Sequence, residues 1–130
     1  MYNGKYIVNL LAGKEIKVRG NNIFSIDVKY TLAGGKRYTP LNYSEAVLQK
    51  RPIFEIHNTN DLAFKEYSRF DLKLTYKLNR KKTSHEFYLD IQNLFDTKNI
   101  FTQEFDKYKF NVVTQYQLGF NPIINYRIQI

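Results

Sequence analysis

The strongest constraint on this chain is an alternation of apolar and polar residues that runs through residues 70–92 with one short interruption. In its first half every second residue is apolar, and charged residues or threonine fill the positions between. After the polar run at residues 79–84 the pattern resumes, with Phe87, Leu89 and Ile91 in the apolar positions. A period of two indicates strands with one apolar and one polar face. The sequence therefore predicts a β-hairpin with a short, basic turn.

The length of these strands indicates what their two faces meet. Each half of the hairpin alternates for roughly nine residues or more, which is the length that a tilted strand needs to cross a bilayer. We therefore expect the apolar face to contact lipid and the polar face to line a lumen. Three other segments have the same period. The prediction is an all-β, antiparallel meander of about five transmembrane strands, at residues 4–18, 23–33, 69–79, 86–95 and 116–130.

The connections between the predicted strands alternate short, long, short, long. Residues 34–68 and 96–115 are the long ones, with one helical turn expected at residues 44–49. Outer-membrane barrels have tight periplasmic turns and long outer loops, so we expect both long connections outside the cell, with Asn58 reachable there. The smallest such barrels have about eight strands. The chain is therefore expected to be one segment of a larger barrel domain, without a separate second domain.

The formal charge of +8 raises the possibility of a nucleic-acid-binding protein. However, the basic residues gather in connections, and no predicted strand has a basic stripe interleaved with exposed stacking aromatics, as single-strand binding requires. We therefore expect no nucleic-acid partner. The chain has no cysteine, which excludes disulfides and thiolate metal sites. His57 and His85 lack the spacing of a metal pair, and we expect no metal, no cofactor and no catalytic site.

Charged residues on the predicted polar faces form the first candidate site. Paired carboxylates can perform acid–base chemistry, but opposite charges on neighbouring strands also stabilise a sheet modestly. We interpret this set as a lumen-facing polar network: Asp27, Lys29, Arg69, Asp71, Lys73 and Asp90. Basic side chains also pair readily with phosphate. Four basic residues of the first long connection are candidate outer-loop contacts for lipopolysaccharide phosphates or an anionic substrate: Lys36, Arg37, Lys50 and Arg51.

Aromatic residues are abundant near the predicted strand ends. Amphipathic rings collect at headgroup level in membrane barrels, although strands favour aromatics in any setting. We predict an aromatic girdle that draws on Tyr2, Tyr6, Tyr30, Tyr67, Tyr76, Tyr88, Phe95, Phe101, Phe120 and Tyr126.

Four stretches of the chain resemble the C-terminal end of the TonB-dependent outer-membrane receptors of the Bacteroidetes type. The run that ends in Asn-Leu-Phe-Asp is the most specific, because the penultimate strand of that family ends in a closely similar sequence. The similarity covers essentially the whole chain. The stretches are GGKRYTP at residues 34–40, YSRFD at 67–71, LDIQNLFD at 89–96, and YQLG through YRIQI at 116–130.

That resemblance implies a plugged barrel of about twenty-two strands in the cell outer membrane, importing a siderophore, cobalamin or a glycan-type nutrient. These residues would be its last five strands, in contact with outer-membrane lipid and the remainder of the barrel. The plug, the segment that contacts TonB and the signal peptide are expected upstream. The C-terminal signal read by the barrel-assembly machinery would comprise Tyr126, Ile128 and Ile130, where Ile130 replaces the family's usual final aromatic.

Two other classes of protein stay open on the residues alone. One is a small soluble β-barrel that binds an apolar ligand in the manner of a lipocalin, with the apolar faces turned inward. The other is a basic β-domain that binds nucleic acid. The first differs from the membrane interpretation in which face of the sheet meets water, so solubility without detergent separates the two.

Overall fold

The computed structural model describes residues 4–55, 57 and 59–130. Tyr2 of the predicted girdle and Asn58 of the long connection lie outside the described residues. The elements, in chain order, are β1 (Ile7–Lys17), β2 (Ile23–Ala33), β3 (Arg37–Tyr38), α1 (Tyr43–Gln49), β4 (Leu62–Ala63), β5 (Tyr67–Asn79), β6 (Ser84–Gln92), β7 (Ile100–Asp106), β8 (Asn111–Tyr116) and β9 (Asn121–Gln129).

The five long strands form one sheet in the order β1-β2-β5-β6-β9. Strand β6 pairs antiparallel with β5 on one side and with β9 on the other. The all-β, antiparallel prediction is therefore confirmed. The bounds of β2 match the predicted 23–33, and those of β1 and β5 differ from the prediction by at most three residues.

The chain divides into two compact units. The first, called the sheet unit, comprises residues 8–31, 68–97 and 118–130 and contains almost all of the five-stranded sheet. The second, called the connection unit, comprises the described residues among 1–7, 32–67 and 98–117. It contains α1 and two small sheets, β3–β4 and β7–β8.

The apolar side chains of the sheet unit are only partly covered. Ile124 keeps 83% of its surface exposed and Phe87 keeps 48%. Among the described residues, Ala46 of α1 is the one apolar residue in the buried class. No helix in the described part of the chain has the length and apolar character that spanning a membrane requires.

The first long connection has no regular period in its sequence, but it contains a helix, α1, and a short strand pair, β3–β4. The expected helical turn is present as α1, because the Asn42 Oδ1 accepts a hydrogen bond from the Glu45 N–H at 3.2 Å and caps its first turn. Lys50 ends the helix with a left-handed φ of 52°. The β3–β4 pair, which the sequence does not predict, joins Arg37 to Ala63 in register.

The second long connection differs from its prediction, because residues 96–115 contain the hairpin β7–β8. These strands have no clean apolar alternation, so a period of two is not visible in the sequence. Polar pairs across the hairpin accompany the backbone ladder: Gln103 Nε2 donates to Thr114 Oγ1 and Gln115 Nε2 donates to Glu104 Oε2, both at 3.2 Å. Such a hairpin is stabilised by its ladder and polar pairs rather than by a buried face.

The last strand is shorter than predicted, since β9 begins at Asn121 and not at residue 116. The backbone just before it bonds to side chains instead of to a neighbouring strand. The Leu118 carbonyl accepts a hydrogen bond from Asn93 Nδ2 at 3.2 Å, and the Phe120 N–H donates to Asp96 Oδ1 at 3.0 Å. Because these groups are already satisfied, the segment does not extend the ladder.

Strand β6 also ends early, at Gln92 rather than at the predicted residue 95. Asn93 and Asp96 have φ angles of 52° and 50°, in the left-handed region that a strand does not contain. The Asp96 N–H donates to the Asn93 carbonyl at 2.9 Å and closes a tight turn. Asparagine and aspartate adopt this backbone more readily than other side chains do.

Candidate functional site

The apolar face of the sheet unit is built from rows that run across three strands. Leu74 of β5 lies opposite Leu89 of β6, which lies opposite Ile124 of β9. The predicted apolar side of the hairpin is therefore confirmed, and β9 extends it into one apolar surface. The other rows are Leu72–Ile91–Pro122, Tyr76–Phe87–Tyr126 and Leu78–His85–Ile128.

One of these rows consists of aromatic side chains and is called the aromatic row: Tyr76, Phe87 and Tyr126. The ring centroids of Phe87 and Tyr126 are 4.7 Å apart. A hydrogen bond of 2.7 Å joins the Tyr126 hydroxyl to His85 Nδ1. The rings of this row are apolar, and the polar atoms bonded to each other lie on the side nearer the short turns. Aromatic side chains at a membrane interface have the same arrangement.

Other aromatics of the predicted girdle do not lie on this face. Tyr88 lies on the polar face, opposite Thr75 in register, with Lys73 Nζ 4.7 Å from its ring centroid. Phe101 belongs to β7 in the connection unit. The aromatic residues of the predicted girdle therefore do not share one face, because strand parity decides which face each ring occupies.

The polar face contains a groove of about 450 Å³. All six residues of the predicted lumen-facing network line it: Asp27, Lys29, Arg69, Asp71, Lys73 and Asp90. Lys73 and Asp90 are partners in the β5–β6 register. Three carboxylates and three cations share the groove, so its formal charge is balanced.

The closest ion pair of this groove lies within one strand. Arg69 Nη2 and Nε donate to Asp71 Oδ2 at 2.9 and 3.1 Å. The Asp71 side chain is only 13% exposed, so water screens this pair less than it screens a surface pair. The second oxygen, Asp71 Oδ1, accepts the Asn93 N–H at 2.9 Å. Both oxygens therefore have structural partners, which leaves this carboxylate poorly suited to acid–base chemistry.

Asn93 is the residue that sequence reasoning missed as a site of its own. Its side chain is the largest fully buried one in the described chain, at 1% exposure. Nδ2 donates to the Thr97 carbonyl at 3.0 Å and to the Leu118 carbonyl, while Oδ1 accepts the Thr97 N–H at 2.9 Å. The Asn-Leu-Phe-Asp run is thus a latch that fixes the chain as it leaves β6. The polar residues of this run can be read from the sequence, but their hydrogen-bond partners cannot.

The four candidate outer-loop contacts are not brought together. Lys36 and Arg37 line a pocket of about 730 Å³ within the connection unit. Lys50 and Arg51 follow α1, where Arg51 Nη2 donates to Gln49 Oε1 at 2.7 Å. The sequence placed all four on one long connection; of these, Lys36 and Arg37 line the pocket and Lys50 and Arg51 do not.

The pocket of the connection unit combines flat rings with cations. The Tyr38 and Phe64 rings stack with centroids 4.2 Å apart and an interplanar angle of 8°. Arg37 Nη1 donates a hydrogen bond to the Asn60 carbonyl at 3.1 Å, and this bond fixes the position of the guanidinium at the pocket. The volume lies within the range of ordinary small-molecule sites.

The three residues of the expected C-terminal signal lie at one edge of the sheet. Tyr126 and Ile128 belong to β9 and point to the apolar face. Ile130 follows the strand and is fully exposed. β9 and β1 are the two ends of the strand order, so each pairs with one neighbouring strand in the described chain.

Within the described residues there is no group of three or more side chains that could hold a metal ion. His85 contacts Thr83 and Tyr126 rather than a carboxylate. No family model, no curated protein and no solved structure matches this chain. The two faces of the sheet are therefore the features that indicate what this protein does.

Proposed function

We propose that this chain forms part of the wall of an outer-membrane β-barrel importer of the TonB-dependent receptor type. The observation that carries the proposal is one sheet whose side chains are sorted by face and whose end strands, β1 and β9, each have one edge without a partner strand among the described residues. An apolar surface of this kind suits lipid on one side, and a charged groove suits water on the other. The open edges suit further strands of a larger barrel.

Strand length supports the same proposal. The five strands of the sheet have 11, 11, 13, 9 and 9 residues. Transmembrane strands need about 9–11 residues when tilted, whereas strands of soluble proteins most often have about 5–6. A sheet in which every strand reaches the longer value is better matched to a bilayer than to a small soluble core.

In this proposal the chain is a structural and binding element and not an enzyme. The groove lined by the charged network faces the lumen, where opposite charges stabilise the wall without exposing a charge to lipid. The connection unit lies outside the cell, with Lys36 and Arg37 available to an anionic solute or to lipopolysaccharide phosphate. The imported siderophore, cobalamin or glycan-type nutrient is selected together with the plug and the remaining outer loops, and TonB acts through the N-terminal part.

The rival function is a soluble β-barrel that binds an apolar ligand. A shallow hollow on the apolar face favours it, lined by Phe24, Leu74, Phe87, Leu89 and Ile124 among others. In that case the apolar face must close on itself, whereas in the structure Ile124 and Phe87 stay largely exposed. The exposed apolar face therefore argues against a soluble β-barrel that binds an apolar ligand.

Size-exclusion chromatography without detergent tests the proposal. Ile124 and Phe87 leave much of the apolar face exposed, and soluble monomers rarely expose contiguous apolar patches of more than a few hundred Å². Within the described residues, the outer edges of β1 and β9 have no partner strand. We therefore expect the isolated chain to associate in plain buffer and to become monodisperse in detergent. A sharp monomer peak in plain buffer, together with a cooperative thermal transition, would remove the barrel proposal and favour the soluble apolar-ligand binder.

A further inference from the structure

The two short turns of the sheet unit lie at the same end of the sheet, because β1–β2 and β5–β6 are both joined there. The Val18 N–H donates to the Asn22 carbonyl at 2.9 Å and closes the first turn. The Arg80 N–H donates to the Thr83 carbonyl at 2.8 Å and closes the second. Gly20 supplies the left-handed φ of 75° that the first turn requires.

Asn79 ties these two turns to each other. Its N–H donates to Asn22 Oδ1 at 3.1 Å, and its Nδ2 donates to the Asn21 carbonyl at 2.6 Å. Ser84 Oγ donates to Asn79 Oδ1 at 2.8 Å, so both ends of the Asn79 amide have partners. The turns are therefore held side by side as one edge rather than as two independent loops.

This edge is strongly basic and is called the basic turn edge: Arg19, Arg80, Lys81 and Lys82. All four side chains are exposed, and none of them has a hydrogen bond or ion pair within the described residues. Neither turn contains an acidic residue. The nearest carboxylate along β6, Glu86, lies opposite Lys77 in register and pairs with Arg127 at 3.8 Å. The four positive charges are therefore not neutralised by their own sheet.

The side chains follow a definite order away from this edge on the apolar face. Tyr76 of the aromatic row precedes Arg80 by four residues, or about 13 Å of strand. The wholly aliphatic row Leu74–Leu89–Ile124 comes next. The row Leu78–His85–Ile128 lies between the edge and the aromatic row. The order is therefore cations, then a mixed band of polar, aromatic and aliphatic side chains, then a wholly aliphatic row, which resembles the order of phosphates, interface and acyl chains across one leaflet.

We propose that the basic turn edge binds the headgroups of anionic phospholipids in the leaflet on the short-turn side of the membrane. The inference rests on the proposed function, because the apolar rows must contact acyl chains for the edge to reach headgroup depth. Charge complementarity identifies the occupant: four unpaired cations on a rigid edge attract phosphate, while a zwitterionic surface offers them little net attraction. Each such cation raises binding to an anionic surface by about fivefold.

The test compares insertion of the full chain into vesicles of phosphatidylcholine alone and vesicles with about one third phosphatidylglycerol, a typical anionic fraction. Flotation measures the bound fraction, and circular dichroism of the floated material measures strand content. The test variant is Arg80→Gln/Lys81→Gln/Lys82→Gln. The matched control, Lys65→Gln/Lys107→Gln/Lys109→Gln, removes the same formal charge from exposed residues of the connection unit.

We expect the wild-type chain to prefer the anionic vesicles by at least about tenfold. The turn variant should lose most of that preference, and the control should keep it. Added salt should weaken the preference as well, because exposed charges are screened. If the turn variant and the control lose the preference for anionic vesicles equally, the preference depends on net charge alone, and the inference is overturned. Unchanged preference in the turn variant would overturn it too.

The outcomes also separate this inference from the proposed function. Insertion with full strand content into both kinds of vesicle, at equal affinity and with no effect of the turn variant, would refute headgroup binding and leave the barrel wall intact. Failure to insert into either kind of vesicle, together with a sharp monomer peak in plain buffer, would remove both proposals. Insertion that depends on the basic turn edge would support the two together.

Discussion

The sheet unit and the connection unit are specified by different features of the sequence. In the sheet unit every second side chain belongs to one face, so a regular period specifies strand, register and environment together. In the connection unit the elements are short and depend on single polar caps, such as Asn42 at α1 and Asp106 in the β7–β8 turn. A charge placed on one face of the sheet therefore conflicts with the environment of the whole face, whereas the loss of a cap affects only the short element that the cap holds. The predictions below test that contrast from the largest expected effect to the smallest.

The largest effect is expected where a charge is placed in the middle of the apolar face. Leu74→Arg should lower the stability of the inserted sheet by about 2–4 kcal/mol, because a lipid-facing cation near the midplane has that cost. Ile91→Arg should behave alike. Lys73→Leu, one position away on the polar face, is the matched control and should be milder. Insertion into bilayers measured by protease protection checks this, and the opposite ranking would reverse the assignment of the two faces.

The next largest effect is expected at the latch after β6. Asn93→Ala removes three side-chain hydrogen bonds and places alanine at a φ of 52°. We expect a loss of about 1–3 kcal/mol. Asn93→Gly should lose less, since glycine tolerates that backbone.

Hydrogen exchange at the Thr97 amide, in detergent, reports on this latch directly. Asn125→Ala serves as the control, because its side chain has no hydrogen bond within the described residues. If exchange at Thr97 stays as slow in Asn93→Ala as in the control, the Asn-Leu-Phe-Asp run has no latching role. It would then be an ordinary strand end.

The smallest effect is expected in the β7–β8 turn. The N–H groups of Tyr108 and Lys109 donate to the Asp106 carboxylate and hold its pKa below the ordinary value, with a further contribution from the Lys109 charge. Because the folded pKa is lowered, the carboxylate stabilises the turn above the unfolded pKa. That contribution is lost as the pH falls through the folded pKa.

Amide exchange at Tyr108, followed from neutral to acidic pH, measures this loss. In the wild-type chain, protection at Tyr108 should decrease as Asp106 becomes protonated. In Asp106→Asn the acceptor oxygen is kept without a titrating proton, so protection should be independent of pH in that range. A wild-type profile identical to that of Asp106→Asn would show that the carboxylate charge contributes nothing to the turn.

Much of the fold could be predicted because much of it is periodic. The bounds of β2, the pairing of β5 with β6, and the faces of Leu74 and Lys73 all follow from a period of two. The gathering of the six charged residues in one groove follows as well, since residues of equal parity on neighbouring strands share a face. The hairpin β7–β8 could not be predicted, since its strands bury no regular face.

The sequence by itself determined the fold class, the strand order of a meander and the sorting of residues between two faces, because alternation is a local property. Only the tertiary structure decided where β6 ends and where β9 begins, since both points depend on hydrogen bonds between the side chains of Asn93 and Asp96 and backbone far along the chain. It also decided that Lys36 and Arg37 line a pocket to which Lys50 and Arg51 do not contribute, and that Asn79 joins the two basic turns. Hydrogen bonds between distant residues leave no period in a sequence, and for that physical reason they must be seen in three dimensions.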